Sequence, residues 1–215
     1  SHPSGFLFPI GTTTVTATAT DGAGLTATCT FTVTVTDNEL PVITTSGPIN
    51  VNTDVDVCGA TIAVPAATAT DNCPGMSAPT GVRSDGLLLT DLYPVGITTI
   101  EWNVTDVNGN AATEVIQTIT VTDNQLPVIT TSGSITANAD AGTCFATVTV
   151  TPATADDNCV VGSPVGTRSD GLLLSDPYPV GVTTITWNVS DVNGNPAIVV
   201  LQTVTVVDNE LPTFA

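Results

Sequence analysis

The residues best placed to do chemistry in this sequence are oxygen donors. Asp37, Asn38 and Glu39 open the phrase DNELP, Asp123 and Asn124 open DNQLP, and Asp208 and Glu210 stand in a third copy, at intervals of 86 and 85 residues. Two further acidic phrases keep the same period: DVNGN begins at Asp106 and Asp191, and DNC begins at Asp71 and Asp157. Carboxylates and amides at this density suit a hard cation such as calcium, which takes roughly six to eight oxygens and relieves repulsion among the acids. Asp-Asn and Asn-Gly are also ordinary turn formers that bond to their own backbone, so these phrases predict tight turns with or without an ion.

Charge narrows the partners. With Lys+Arg 2 against Asp+Glu 20 and a net charge of −18, there is no basic footprint for nucleic acid or an anionic membrane. No apolar run reaches the length of a membrane span, about 18 residues or more. The one histidine is His2, and the paired acids Asp54/Asp56 and Asp156/Asp157 do not recur as a matched pair, so no catalytic residue is assigned. Cys58 and Cys73 are 15 residues apart and Cys144 and Cys159 repeat that spacing, which fits no zinc pattern. The spacing predicts two disulfides within the repeats, with chain reversals near 64–67 and 150–153, in an oxidising extracellular setting. Cys29 is left over.

These phrases must be positioned by strands. Ile100, Trp102 and Val104 alternate with Thr99, Glu101 and Asn103, and Phe31, Val33 and Val35 alternate with threonines, the period of a half-buried strand. No segment has helical periodicity. The stretch 81–112 matches 166–197, a period too long for a solenoid and suited to small domains in tandem. Many short strands with an inward Trp102 or Trp187 predict an all-β chain of tandem immunoglobulin-like β-sandwich domains. The expected divisions are 1–36, the second half of an incomplete repeat whose remainder lies outside these residues, complete repeats at 37–122 and 123–207, and the start of another at 208–215. Arg83 and Arg168 each precede an aspartate by two residues and are expected to fork onto it or onto loop carbonyls. The adjoining Leu87–Leu89 and Leu172–Leu174 leave at least one leucine outward. Asn103 and Asn188 head equivalent Asn-Val-Thr/Ser sequons, candidate glycosylation positions.

The sequence FPIGTTTVTATATDGAGLTATCTFTVTV resembles the hyalin repeat, the HYR domain. Phe8-Pro9-x-Gly11, Asp21, Gly24 and Cys29-x-Phe31 carry the likeness, continued by Tyr93, Pro94, Gly96, Asp106, Gly109 and Asn110 and by Tyr178, Pro179, Gly181, Asp191, Gly194 and Asn195. The complete repeats lack a cysteine at the Cys29 position, and each linker has one proline where the family usually has two; the style is that of bacterial tandem repeats. The resemblance implies an extracellular immunoglobulin-like module. The linker is also similar, over a few residues, to the DN linkers with which cadherins hold calcium. In an immunoglobulin-like bead the loop before the last strand lies at the end facing the preceding linker, so Asp106 is expected to approach Asp37 and Glu39, and Asp191 to approach Asp123. Asp71 and Asp157 join them unless the cysteine reversal carries them to the other end. Gln125 in place of Glu39 would weaken the second site. The leading expectation is a secreted or surface spacer or fibre whose partners are further copies or adjoining repeats. The alternatives are an adhesion module for a glycan or surface protein, and an accessory spacer of a large secreted enzyme.

Overall fold

In the computed structural model, which describes residues 5–212, every regular element is a β-strand. β1 (Gly11–Thr20) and β2 (Thr26–Val35) form an antiparallel hairpin. Its turn is tied by Asp21, whose Oδ1 accepts from the Ala23 and Leu25 amides at 2.9 Å each. A two-stranded ribbon cannot bury a face. Phe31 is accordingly 53% exposed despite its alternation with threonine.

Two matching series of strands follow. The first is β3 (Val42–Thr44), β4 (Ile49–Asn52), β5 (Gly59–Ala60), β6 (Thr68–Thr70), β7 (Thr80–Arg83), β8 (Tyr93–Pro94), β9 (Gly96–Asn103) and β10 (Val115–Thr122). The second is β11 (Val128–Thr130), β12 (Ile135–Asn138), β13 (Phe145–Ala146), β14 (Thr154–Asp156), β15 (Val165–Arg168), β16 (Tyr178–Pro179), β17 (Gly181–Asn188) and β18 (Val200–Val207). The sheets run β4-β10-β9-β7 and β12-β18-β17-β15, with the short pairs β3-β6, β5-β8, β11-β14 and β13-β16 beside them. β4 and β12 lie parallel to β10 and β18, and the other described pairings are antiparallel. This is the expected all-β, immunoglobulin-like sandwich architecture. By internal contacts the chain divides into two units. One takes residues up to Gly47 with Val64–Leu89 and Thr99–Thr118; the other takes Pro48–Ala63, Thr90–Thr98 and the chain from Ile119.

In the second unit the two layers meet over Ile129, Ala146, Tyr178, Ile185, Trp187, Val204 and Val206. The corresponding Ile43, Ala60, Tyr93, Ile100, Trp102, Ile119 and Val121 are buried too, so the alternation of Ile100, Trp102 and Val104 holds. A polar chain that the hydrophobic pattern did not reveal lies beside Trp187 and recurs beside Trp102. Trp187 Nε1 donates to Gln202 Oε1 at 2.9 Å, and Gln202 Nε2 donates to Ser132 Oγ at 3.1 Å and to the Gly133 carbonyl at 2.6 Å. Trp102, Gln117, Ser46 and Gly47 repeat it. Every member finds a partner, which makes a buried glutamine tolerable.

Gly166 stands opposite Trp187 in the β15–β17 register, and a Cβ there would lie 2.8 Å from Trp187 Cζ3. Gly166→Ala is expected to destabilise the second unit by about 1–3 kcal/mol through overpacking, read as a lower urea midpoint followed by tryptophan fluorescence. An unchanged midpoint would show that the indole has room to move.

The cysteine pairing differs from the expectation. The disulfide joins Cys58 to Cys159 across 101 residues, and Cys29, Cys73 and Cys144 are free thiols. The expected Cys58–Cys73 and Cys144–Cys159 bonds fail because strand pairing sends the members of each pair to different partners. Cys58 leads into β5, which pairs with β8, while Cys73 follows β6, which pairs with β3. One period later β13 takes Cys144 to β16, and β14 takes Cys159 to β11. The expected reversals at 64–67 and 150–153 are connections without a turn.

Candidate functional site

Two acidic clusters arise where a linker phrase meets the loops before β7 or β15 and after β9 or β17. In the second unit, Asp123, Asp157 and Asp191 bring one carboxylate oxygen each within 4.8 Å of one another. Asp191 begins a loop whose tightness depends on Gly194, at φ 94°, a conformation that disfavours a side chain. That turn lets Asp191 Oδ1 accept from the amides of Asn193 and Asn195 at 2.8 Å each, while Oδ2 takes the Asn195 side chain at 2.8 Å. Burial raises the Asp191 carboxyl, but these bonds outweigh it and hold the acid below the ordinary range.

Asp123 is buried at the centre. Its Oδ1 accepts from Gln125 N at 3.1 Å, Thr53 Oγ1 at 3.4 Å and Asn158 Nδ2 at 3.3 Å, and its Oδ2 accepts from Asn193 Nδ2 at 2.8 Å. Asp157 is served least well. Oδ2 accepts from the Cys159 amide at 3.1 Å, but Oδ1 is buried with no hydrogen-bond partner, as is Asn158 Oδ1. Burial first, then the charges of Asp123 and Asp191, push the Asp157 carboxyl up.

The first unit repeats the plan with one substitution. Asp37 accepts from Glu39 N at 3.1 Å and Asn108 Nδ2 at 2.9 Å, and Asp106 accepts from Asn108 N at 2.9 Å and Asn110 N at 2.8 Å. Asp71 Oδ1 is buried without a partner. Here the third member of the cluster is the thiol of Cys73, beside Asp37 and Asp71. Burial pushes that thiol up to about 11, helped by its bond to Asp37 and the nearby charges of Asp71 and Asp106.

The expected site residues thus fall into two groups. Asp37 with Asp71, and Asp123 with Asp157 and Asp191, are brought together, and Asp106 lies in electrostatic range of Cys73; the question left open for Asp71 and Asp157 resolves in favour of joining. Asn38 and Asn124 are exposed. The position of Glu39 does not face the cluster in the second unit: Gln125 instead donates to Asp56 Oδ1 at 3.2 Å and accepts from its amide at 3.3 Å. The asparagines Asn108, Asn110, Asn193 and Asn195, which lock the clusters, were visible only as turn formers. Asn103 and Asn188 end β9 and β17 in exposed positions. His2 lies outside the described residues.

Arg83 and Arg168 take the structural role expected of them. The fully buried Arg168 guanidinium forks onto Asp170, donates to the Leu173 and Asp176 carbonyls at 2.8 Å each, and lies 3.8 Å from the Tyr178 ring centroid.

Residues 1–35 match the HYR domain family. Over 167 residues, 75% of its length, the chain is 34% identical to hyalin of Lytechinus variegatus, of which it covers 30%. Over 165 residues it is 33% identical to hyalin of Strongylocentrotus purpuratus, of which it covers 13%. It therefore spans less than a third of the curated relatives it matches. Among solved structures, protocadherin gamma B2 extracellular cadherin domains 3–6 align with a TM-score of 0.40 at 15% identity, covering 91% of this chain and 60% of that one. Mouse protocadherin-24 EC1-3 aligns with a TM-score of 0.34 at 15% identity, covering 92% and 80%. The chain is an extracellular or cell-surface module. Its disulfide agrees with that compartment. No helix among the described residues is long and apolar enough to cross a membrane.

Proposed function

We propose that the HYR-type chain is a non-enzymatic spacer region of a secreted or surface protein, with modules at 37–122 and 123–207 joined by proline-stiffened linkers, and with calcium held at the Asp37 and Asp123 clusters. One observation carries the calcium reading. The buried side-chain oxygens without a partner among the described residues, Asp71 Oδ1, Asp157 Oδ1 and Asn158 Oδ1, all belong to the two DNC phrases beside a linker aspartate. The two arginines are engaged with Asp85 and Asp170, so among the described residues no basic side chain is at hand to compensate the acids. Asp123, Asp157, Asp191 and the Asn158 oxygen would supply a hard donor set, and calcium there would neutralise mutually repelling carboxylates. The Cys73 thiol is a poor ligand for a hard cation, so the first cluster is the weaker one. That reverses the ranking expected from Gln125, whose side chain faces Asp56.

Extracellular calcium modules bind with dissociation constants on the order of 0.1–1 mM. At tenfold excess over that constant, calcium is expected to raise the melting temperature by about 3–6 °C, a shift that chelator reverses and that Asp157→Asn reduces to what the weaker Asp37 cluster supplies. Superimposable melting curves in calcium and chelator, or a shift undiminished in Asp157→Asn, would overturn the assignment.

A second reading, adhesion, has its own observation: a shallow, mainly apolar cleft of about 340 Å³ lined by Asp140, Thr143, Phe145, Leu172 and Pro177, with Phe145 48% exposed. A glycan array separates the two. A spacer leaves it blank, whereas carbohydrate-specific signals lost in Phe145→Ala would establish recognition at that cleft.

A further inference from the structure

The Cys58–Cys159 bond uses one member from each cysteine pair, and the period supplies a second copy of both halves. Cys144 lies 86 residues after Cys58, and Cys73 lies 86 residues before Cys159. Cys144 and Cys73 each sit in the same local framework as their bonded counterparts, Cys58 and Cys159. Asp54 N donates to the Gly59 carbonyl and Asp140 N to the Phe145 carbonyl, both at 2.7 Å. Asp54 Oδ2 accepts from Thr61 N at 2.9 Å, and Asp140 Oδ2 from Thr147 N at 3.0 Å. The other half matches as well: Cys73 N donates to Asp71 at 3.0 Å, and Cys159 N to Asp157 at 3.1 Å.

The surroundings of Cys144 are half of a joint already assembled. At the bonded joint Gln125 Oε1 accepts from Asp56 N. At Cys144 the corresponding Glu210 carboxylate accepts from Gly142 N at 3.0 and 3.2 Å. A cleft of about 410 Å³ opens there between Thr143, Cys144, Asp208, Glu210 and Pro212. At the bonded joint, Asn158 reaches the Val57 carbonyl with its Nδ2 at 3.1 Å, next to the cysteine it accompanies. Its counterpart Asn72 is exposed beside Cys73. Cys144 is exposed in turn.

We propose that Cys144 and Cys73 are complementary half-links of the Cys58–Cys159 type, through which an adjoining repeat of the same kind is bonded covalently, head to tail. The assignment requires no cation at either acidic cluster, although Cys73 itself belongs to the Asp37 cluster. Because the two halves differ, the contact is heterologous: one copy offers its Cys144 end and the next its Cys73 end, and the link propagates. A small disulfide such as oxidised glutathione supplies the oxidation. The Cys144 thiolate attacks one glutathione sulfur and releases a glutathione thiolate; the Cys73 thiolate of the second copy then attacks the Cys144 sulfur and releases the other. Two thiols are oxidised to one disulfide, and one glutathione disulfide is reduced to two glutathiones.

The test uses the chain itself in a Cys29→Ser background, incubated with oxidised glutathione and examined by non-reducing electrophoresis and peptide mass spectrometry. The expected result is a ladder of oligomers dominated by the Cys144–Cys73 cross-linked peptide. Cys73→Ser and Cys144→Ser should each abolish the ladder alone. Mixed together, they should give a single dimer joined through the remaining Cys144 and Cys73. An intact Cys58–Cys159 peptide in the same digests verifies the fold of each variant. Monomer alone, or Cys144–Cys144 and Cys73–Cys73 products matching the mixed product in yield, would overturn the proposal.

Discussion

Reducing the Cys58–Cys159 bond is expected to lower the stability of the second unit by about 4–5 kcal/mol, because the bond closes a 101-residue loop and restricts the unfolded chain accordingly. Urea unfolding with and without reductant measures the loss directly, and Cys58→Ser should reproduce most of it. Cys73→Ser is the informative control. In the pairing found, Cys73 belongs to no bond, so its replacement should cost less than about 1 kcal/mol in the monomeric chain. Had the 15-residue pairs formed, Cys58→Ser and Cys73→Ser would cost the same. Equal losses in the two variants would therefore refute the connectivity.

That control also marks where the sequence stopped being informative. A spacing of 15 residues repeated after 86 is satisfied equally by bonds within a repeat and by bonds from one repeat to the next. The choice depends on β5 pairing with β8 and β6 with β3, which are non-local contacts between strands of two or three residues. By contrast, Ile100, Trp102 and Val104 were legible because alternation is local and the buried face follows from it. The acidic site lay between these cases. Its linker and DVNGN aspartates followed from the order of strands in such a sandwich. The place of Asp71 and Asp157 was tied to the chain reversal that the expected within-repeat disulfides implied, and Gln117 and Gln202 broke the apolar pattern without a local signal to explain why.

Removing the Arg168 guanidinium is expected to cost about 3–5 kcal/mol, since it would leave a carboxylate and several carbonyls facing a cavity that has lost its only cation. Arg168→Met tests this with a side chain of similar length. Arg168→Lys should recover little, because an ammonium cannot fork onto Asp170 while also donating to Leu173, Asp176 and Pro177 from one plane. Acidity gives a second readout. The guanidinium bond holds the Asp170 carboxyl below its ordinary value of 3.8, as Arg83 does for Asp85. A depressed carboxyl contributes stability above its unfolded value and loses it as the pH falls through the folded one. The parent chain should therefore weaken steeply below about pH 4, and Arg168→Met, already lacking the partner, should lose less over the same interval. Parallel pH profiles for parent and variant would mean that the pair does not couple to folding, and that the cost of the substitution lies in the carbonyls alone.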